Sequence, residues 1–186
     1  TDYVTNVPEC SPAVQEAINK AAEKNVLVVS AAGNDNSGRL FSPGSCTNTL
    51  RVASTGPTAL RSYFSNYGEG VNVAAPGGDQ SMGRASGILS TVKESKAGTG
   101  FAYYQGTSMA TPNVVGLVAL IHALNDDNIP LSIKDIEELV ANNTHAFGAS
   151  ASAENSCKGE KSCGTGIIDA KKTLESFRAK YYEGQD

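Results

Sequence analysis

Ser11-Pro12-Ala13-Val14-Gln15-Glu16-Ala17-Ile18-Asn19-Lys20-Ala21-Ala22-Glu23-Lys24-Asn25-Val26-Leu27-Val28-Val29 is the stretch on which the fold turns. A serine followed by proline at the first helical position is a helix start, because the proline lacks an N–H that would be unpaired there anyway. Ala13, Val14, Ala17, Ile18, Ala21 and Ala22 then recur at helical spacing, and Lys24-Asn25 closes the helix. Val26 to Val29 is a short run of apolar residues with no alternation, which predicts a strand covered on both faces. A helix that runs straight into a buried strand is the pattern of a parallel α/β sheet.

The same grammar extends along the chain. Gly33 to Cys46 is rich in Gly, Asn, Ser and Pro and reads as a loop. Short strands are expected at Leu50–Ser54 and Val71–Ala75, the second ended by Pro76-Gly77-Gly78. Ile88–Val92 and Phe101–Tyr104 read as a strand pair joined by a Gly98-Thr99-Gly100 turn. A helix is expected from Ser108 to about Leu124. Another runs over Ile133–Val140, capped by Ser132, and a last one, capped by Asp169, runs towards Ala179. The tail from Tyr181 to Asp186 is polar. No internal repeat or low-complexity linker divides the chain, so one domain over residues 1–186 is the simplest account.

Composition narrows the function. The chain has 186 residues, 40% of them hydrophobic, and a net charge of −4 from 15 basic and 19 acidic residues. No clustered basic run supplies the surface that nucleic acid requires. No apolar stretch nears the ~20 residues of a membrane span; Val114 to Leu124 is interrupted by His122. Four cysteines, Cys10, Cys46, Cys157 and Cys163, permit two disulfides and hence an oxidising, secreted setting. Of the three connectivities, the short local loop favours Cys157–Cys163 and therefore Cys10–Cys46. The spacing is not that of a zinc site, and no metal site is expected from the residue pattern. The first residues, Thr1 to Pro8, have neither the basic start nor the apolar core of a signal peptide, so any targeting segment is expected upstream.

Chemistry concentrates in Gly106-Thr107-Ser108-Met109-Ala110-Thr111-Pro112. A small-residue turn feeds an apolar helix, with a serine at the junction. There the unpaired N–H groups and the positive end of the helix dipole favour an oxyanion beside the hydroxyl. On this ground alone an ordinary capping serine is the commoner reading.

The whole string, however, resembles the nucleophile motif of the subtilisin-like serine proteases. Three further segments resemble that family in the family's order: Val28-Val29-Ser30-Ala31-Ala32-Gly33-Asn34-Asp35; Tyr63-Phe64-Ser65-Asn66-Tyr67-Gly68 with Val73-Ala74-Ala75-Pro76-Gly77; and Gly164-Thr165-Gly166-Ile167-Ile168-Asp169-Ala170. The resemblance implies a three-layer α/β fold with a mostly parallel sheet between helices. It implies a serine endopeptidase acting on polypeptides, with Ser108 as nucleophile. The Asn34 amide and the Ser108 N–H would form the oxyanion hole, and Ala31, Ala32, Gly33 and Thr107 would contact the substrate. No cofactor is required for such chemistry. The family often binds structural calcium, for which Asp79 is a lone and weak candidate. Asn113 stands where the family often has histidine, at a position without a catalytic role.

A serine needs a general base, and this sequence has two histidines. His122 lies 14 residues after Ser108 on the same expected helix, about 21 Å away at 1.5 Å per residue. His145 sits in Asn143-Thr144-His145-Ala146-Phe147, unlike the family's His-Gly-Thr segment. The family's aspartate segment is also absent, and the third residue after Ser108 is Thr111 rather than a lysine. The expectation is therefore the C-terminal part of a catalytic domain. Its first strands, aspartate and histidine would lie on an N-terminal portion outside these residues. The competing readings are a catalytically inactive relative serving as a structural or binding module, and a different serine hydrolase. Gly106-Thr107-Ser108-Met109-Ala110 departs from the Gly-x-Ser-x-Gly elbow of the latter.

Overall fold

The computed structural model describes residues 9–94, 98–125, 129–149 and 154–182. Helix α1 spans Pro12–Glu23, with the Ser11 hydroxyl accepting from the Val14 N–H. It ends where Lys24 and Asn25 turn back, Asn25 at φ 58°. That turn delays the strand: β1 is Val28–Ala31 rather than 26–29, because the Val26 N–H is still held by the Ala21 carbonyl. Strands β2 (Thr49–Thr55) and β3 (Val73–Pro76) follow in parallel, with Val28 opposite Thr49 and Val52 opposite Val73.

A hairpin, β4 (Ile88–Glu94) and β5 (Gly98–Tyr104), stands apart as a two-stranded sheet. Gly98 and Gly100, expected in its turn, instead lie in the ladder opposite Glu94 and Val92. The connection falls on residues 95–97, outside the described residues. Helix α2 (Thr107–Leu124) then crosses the sheet, α3 spans Ile133–Asn142, and α4 spans Ala170–Tyr181. Two strands of two residues, β6 (Thr144–His145) and β7 (Ile167–Ile168), complete the sheet. Its order is β1-β2-β3-β7-β6, parallel except for β6. The chain end expected in a polar tail begins as helix instead: Tyr181 and Tyr182 pack their rings on buried Phe177.

The sheet is covered on both faces by different means. Leu50, Val52, Val73 and Ala75 face a core shared with Val114, Leu117 and Ile121 of α2, Ile136 and Val140 of α3, and Phe177 of α4. Alternate residues Ala53 and Ala74 face a second cluster with Ala32, Ile167 and Cys163. Their small side chains let loops approach the sheet closely. Two disulfides, Cys10–Cys46 and Cys157–Cys163, tie those loops. Against the expectation that no apolar stretch nears the length of a membrane span, helix α2, with 18 residues and a mean hydropathy of 1.4, is long and apolar enough by composition alone to cross one, although Thr107, Ser108, Thr111, Asn113 and His122 interrupt it. One stripe is buried in the core, while Val115 and Leu120 on the outer face remain 48% and 49% exposed. Among the described residues no strand pairs with the outer edge of β1.

Candidate active site

Two elements converge at the end of β1. The strand runs out at Ala31 into Ala32-Gly33-Asn34, and the first turn of α2 faces it. Gly106 ends the approach to α2 at φ 152°, and its carbonyl accepts from Met109 and Ala110. Thr107 is wholly buried and joins the two elements. The Gly33 N–H donates to the Thr107 hydroxyl (3.2 Å), which donates on to Asn34 Oδ1 (2.9 Å). The Thr107 N–H also donates to Asn34 Oδ1 (2.9 Å). Because an N–H can only donate, the atom it meets must be the oxygen, and Nδ2 is turned the other way.

That orientation decides what the site can do. Ser108 is exposed at the second position of α2, and its N–H has no partner among the described residues, nor has Asn34 Nδ2. A methyl group built on Gly106 would stand 3.7 Å from both nitrogens. The two donors therefore face one shared volume beside the Ser108 hydroxyl, at the positive end of the α2 dipole. Such a volume is suited to an oxygen that gains negative charge. The glycine at 106 leaves this space free of a side chain.

A cleft of about 390 Å³ adjoins this point. Ala31, Ala32, Gly33, Asn34, Thr107 and Ser108 all line it, so the residues singled out in the sequence are brought together. Thr107 borders the cleft with its hydroxyl already engaged by Gly33 and Asn34. The loop residues Phe41, Ser42 and Pro43 form a further wall, which no local sequence pattern marks. The loop is anchored beneath by Arg51 of β2, whose guanidinium donates to the carbonyls of Gly44 (2.5 Å), Cys46 (2.5 Å) and Gly70 (3.0 Å). Burial holds the Arg51 pKa below its ordinary value, partly offset by the field of Glu137 on α3. Asn113 is bonded into the framework. Its amide donates to the Pro76 carbonyl (2.9 Å) and to that of Met109 (3.1 Å), tying α2 to the end of β3.

Neither histidine joins the site. His122 lies in the last turn of α2, beside a separate cleft formed with Asn25, Asn125 and Asp135. His145 is on β6, the far edge of the sheet, with Nδ1 against the Ala146 carbonyl (2.7 Å). Four strand spacings separate β6 from β1, roughly 19 Å. Asp79 is buried and caps a short 3-10 turn: its oxygens accept from the Tyr63 N–H (3.2 Å), the Ser81 N–H (3.2 Å) and the Ser81 hydroxyl. Those donors do not suit a calcium ion, which wants clustered oxygens. No group of three or more metal-ligating His, Cys, Asp or Glu side chains forms among the described residues.

A buried parallel sheet, a serine heading its core helix and a nearby amide and backbone N–H are parts that a serine-hydrolase site uses. Comparison with known proteins gives the family. The model of the subtilase family matches residues 1–168, and the chain belongs to that family. It is 37% identical over 165 residues to the extracellular protease of Xanthomonas campestris pv. campestris, a match covering 87% of this chain and 25% of that protein. It is 35% identical over 142 residues to alkaline elastase YaB of a Bacillus species, covering 75% of this chain and 34% of that one. A solved protease of Pseudoalteromonas arctica superposes with a TM-score of 0.79 at 38% identity, covering 91% of this chain and 48% of its own. The chain thus spans between a quarter and a half of the length of these relatives.

Proposed function

We propose that this chain is the nucleophile-bearing C-terminal part of the catalytic domain of a secreted serine endopeptidase. The observation that carries the reading is the pair of donors, Asn34 Nδ2 and the Ser108 N–H, left without partners among the described residues and facing one volume beside the Ser108 hydroxyl. In the reaction Ser108 Oγ attacks the carbonyl carbon of a peptide bond. Its proton passes to a histidine on a portion of the protein outside these residues, oriented there by an aspartate. The carbonyl oxygen becomes an oxyanion held by the two donors. Collapse expels the amine, which takes the proton from the histidine and leaves an acyl group on Ser108. A water molecule, deprotonated by the same histidine, then releases the acid. The residues present need no cofactor for this.

Two features support the N-terminal portion as partner. The outer edge of β1 has no neighbour among the described residues, and the apolar outer face of α2 is exposed. Secretion is supported by the two disulfides and by the extracellular proteases named among the relatives.

A fluorophosphonate probe tests the reading. In the protein that carries the upstream portion, Ser108 is expected to label rapidly and peptides to be cleaved, and Ser108→Ala abolishes both. The 186 residues alone should react on the order of 10⁶-fold more slowly, the scale of losing the base. Rapid labelling of the isolated chain would refute the need for a base from outside it. An inert full-length protein would favour a structural or binding role.

A further inference from the structure

The Tyr63–Gly68 segment supplies no reacting group, yet one of its residues is bonded to the loop of the proposed oxyanion donor from both sides. Asn66 is wholly buried. Its Oδ1 accepts from the N–H groups of Asp35 (2.8 Å) and Ser37 (3.1 Å). Its Nδ2 donates to the carbonyls of Ala32 (3.1 Å) and Arg39 (3.0 Å). Its own N–H donates to the Gly33 carbonyl (2.9 Å). A primary amide has two donors and two acceptor positions, and all four are used here on one eight-residue segment.

The bonds bracket a single residue. Ala32 and Gly33 are held before Asn34, Asp35 and Ser37 after it, while Asn34 itself is left to Thr107. The approach is close enough that a methyl group on Gly33, at φ 111°, would overlap the Asn66 amide. No other side chain reproduces the pattern: aspartate lacks the two donors, serine cannot span both flanks, and glutamine adds a methylene where there is no room.

We propose that Asn66 is a positioning residue for catalysis, fixing the backbone on either side of Asn34 so that its Nδ2 meets the oxyanion. The proposal rests on the oxyanion role given to Asn34 above. Misplacing a catalytic group by about 1 Å can cost 10²-fold in rate, so the effect should appear in kcat.

The test uses the full-length protease, with kcat and KM expressed per active site titrated with a fluorophosphonate, so that misfolded protein is not counted. Asn66→Ala is expected to lower kcat by about 10- to 100-fold, with KM within about twofold. Asn66→Asp, nearly isosteric and still able to accept from Asp35 and Ser37, should lose less. In an Asn34→Ala background, Asn66→Asp should cost no further kcat, because the group it positions is gone. A loss of equal size in that background would overturn the proposal, as would a rise in KM alone or no loss at all. Amide hydrogen exchange of Asp35 and Ser37 gives a readout independent of activity. Faster exchange in Asn66→Ala is expected, and unchanged exchange would reject the clamp. If the clamp is seen but the wild-type protein cleaves no peptide, it is the protease reading that fails.

Discussion

Thr107 illustrates how one hydroxyl can hold two elements at once. It accepts from Gly33 at the end of β1 and donates to Asn34, while its own N–H, at the head of α2, donates to the same oxygen. Thr107→Val keeps the shape and removes the hydroxyl. The Gly33 N–H, in a half-buried place, then loses its partner, at a cost of about 1 kcal/mol in stability. Asn34 keeps one of its two bonds, so its amide is loosened rather than lost. The expected kcat loss in the full-length protease is therefore smaller than the roughly 10²–10³-fold of deleting an oxyanion donor, with KM little changed. Steady-state kinetics on a peptide substrate and a denaturant melt measure the two effects separately. In the sequence, Thr107 is legible only as a neighbour of the serine, through resemblance to the family's motif. Its partners lie 73 and 74 residues away, a contact that spacing along the chain does not reveal. Asn66 is hidden for the same reason: a lone asparagine in a turn-like segment says nothing of the loop it holds. Ser108 and Asn34 are singled out only by resemblance to the family's motifs, because the local pattern by itself favours a capping serine and a turn asparagine.

Elements are legible where their ends carry chemistry. Ser11-Pro12 and Ser132 begin α1 and α3 where the capping rules put them, and Asp169 accepts from the Lys172 N–H at the start of α4. Glycine misleads at the hairpin. Gly98 keeps the positive φ of turn chemistry, 89°, at the end of the ladder beside Glu94, while Gly100 is drawn into strand pairing opposite Val92. Strands β6 and β7 have two residues each, too few to show any period, and exist only because the sheet edge offers them partners. Helix α3 allows a direct test of capping. The Ser132 hydroxyl accepts from the Asp135 N–H (3.1 Å) and the Asp135 carboxylate accepts from the Ser132 N–H (2.9 Å). Ser132→Ala should cost about 1 kcal/mol. These hydrogen bonds from Ser132 hold the Asp135 pKa below its ordinary value. A carboxyl whose folded pKa is depressed contributes stability that is present above its unfolded pKa, near 3.9, and lost as pH falls through the folded one. The destabilisation by Ser132→Ala should therefore be full at neutral pH and shrink below about pH 4, as melts across that range would show.

At the scale of the molecule, the sheet has two edges of unequal length. The β6 edge is a strand of two residues, short enough to offer little to pair with. The β1 edge is twice as long and meets no strand on its outer side among the described residues, and such an edge is a feature that proteins ordinarily cover. Helix α2 has an uncovered face as well. Val114, Leu117 and Ile121 are buried against the sheet, whereas Val115 and Leu120, on the outer face of the same helix, are about half exposed. A helix apolar on all sides belongs in a core, so the proposed N-terminal portion should close over this face and extend the sheet beyond β1. Val115→Asp discriminates between a covered and a solvated face. If the face is covered in the full-length protein, the substitution buries an unpaired carboxylate and should cost ~3 kcal/mol or more. If it is solvated, the cost should stay within about 0.5 kcal/mol, as for ordinary surface changes. The melts are best made in a Ser108→Ala background, where self-digestion cannot mimic unfolding. A large loss at Val115 that leaves the β1-to-α2 junction intact would tie the stability of the helix that Ser108 heads to the proposed N-terminal portion.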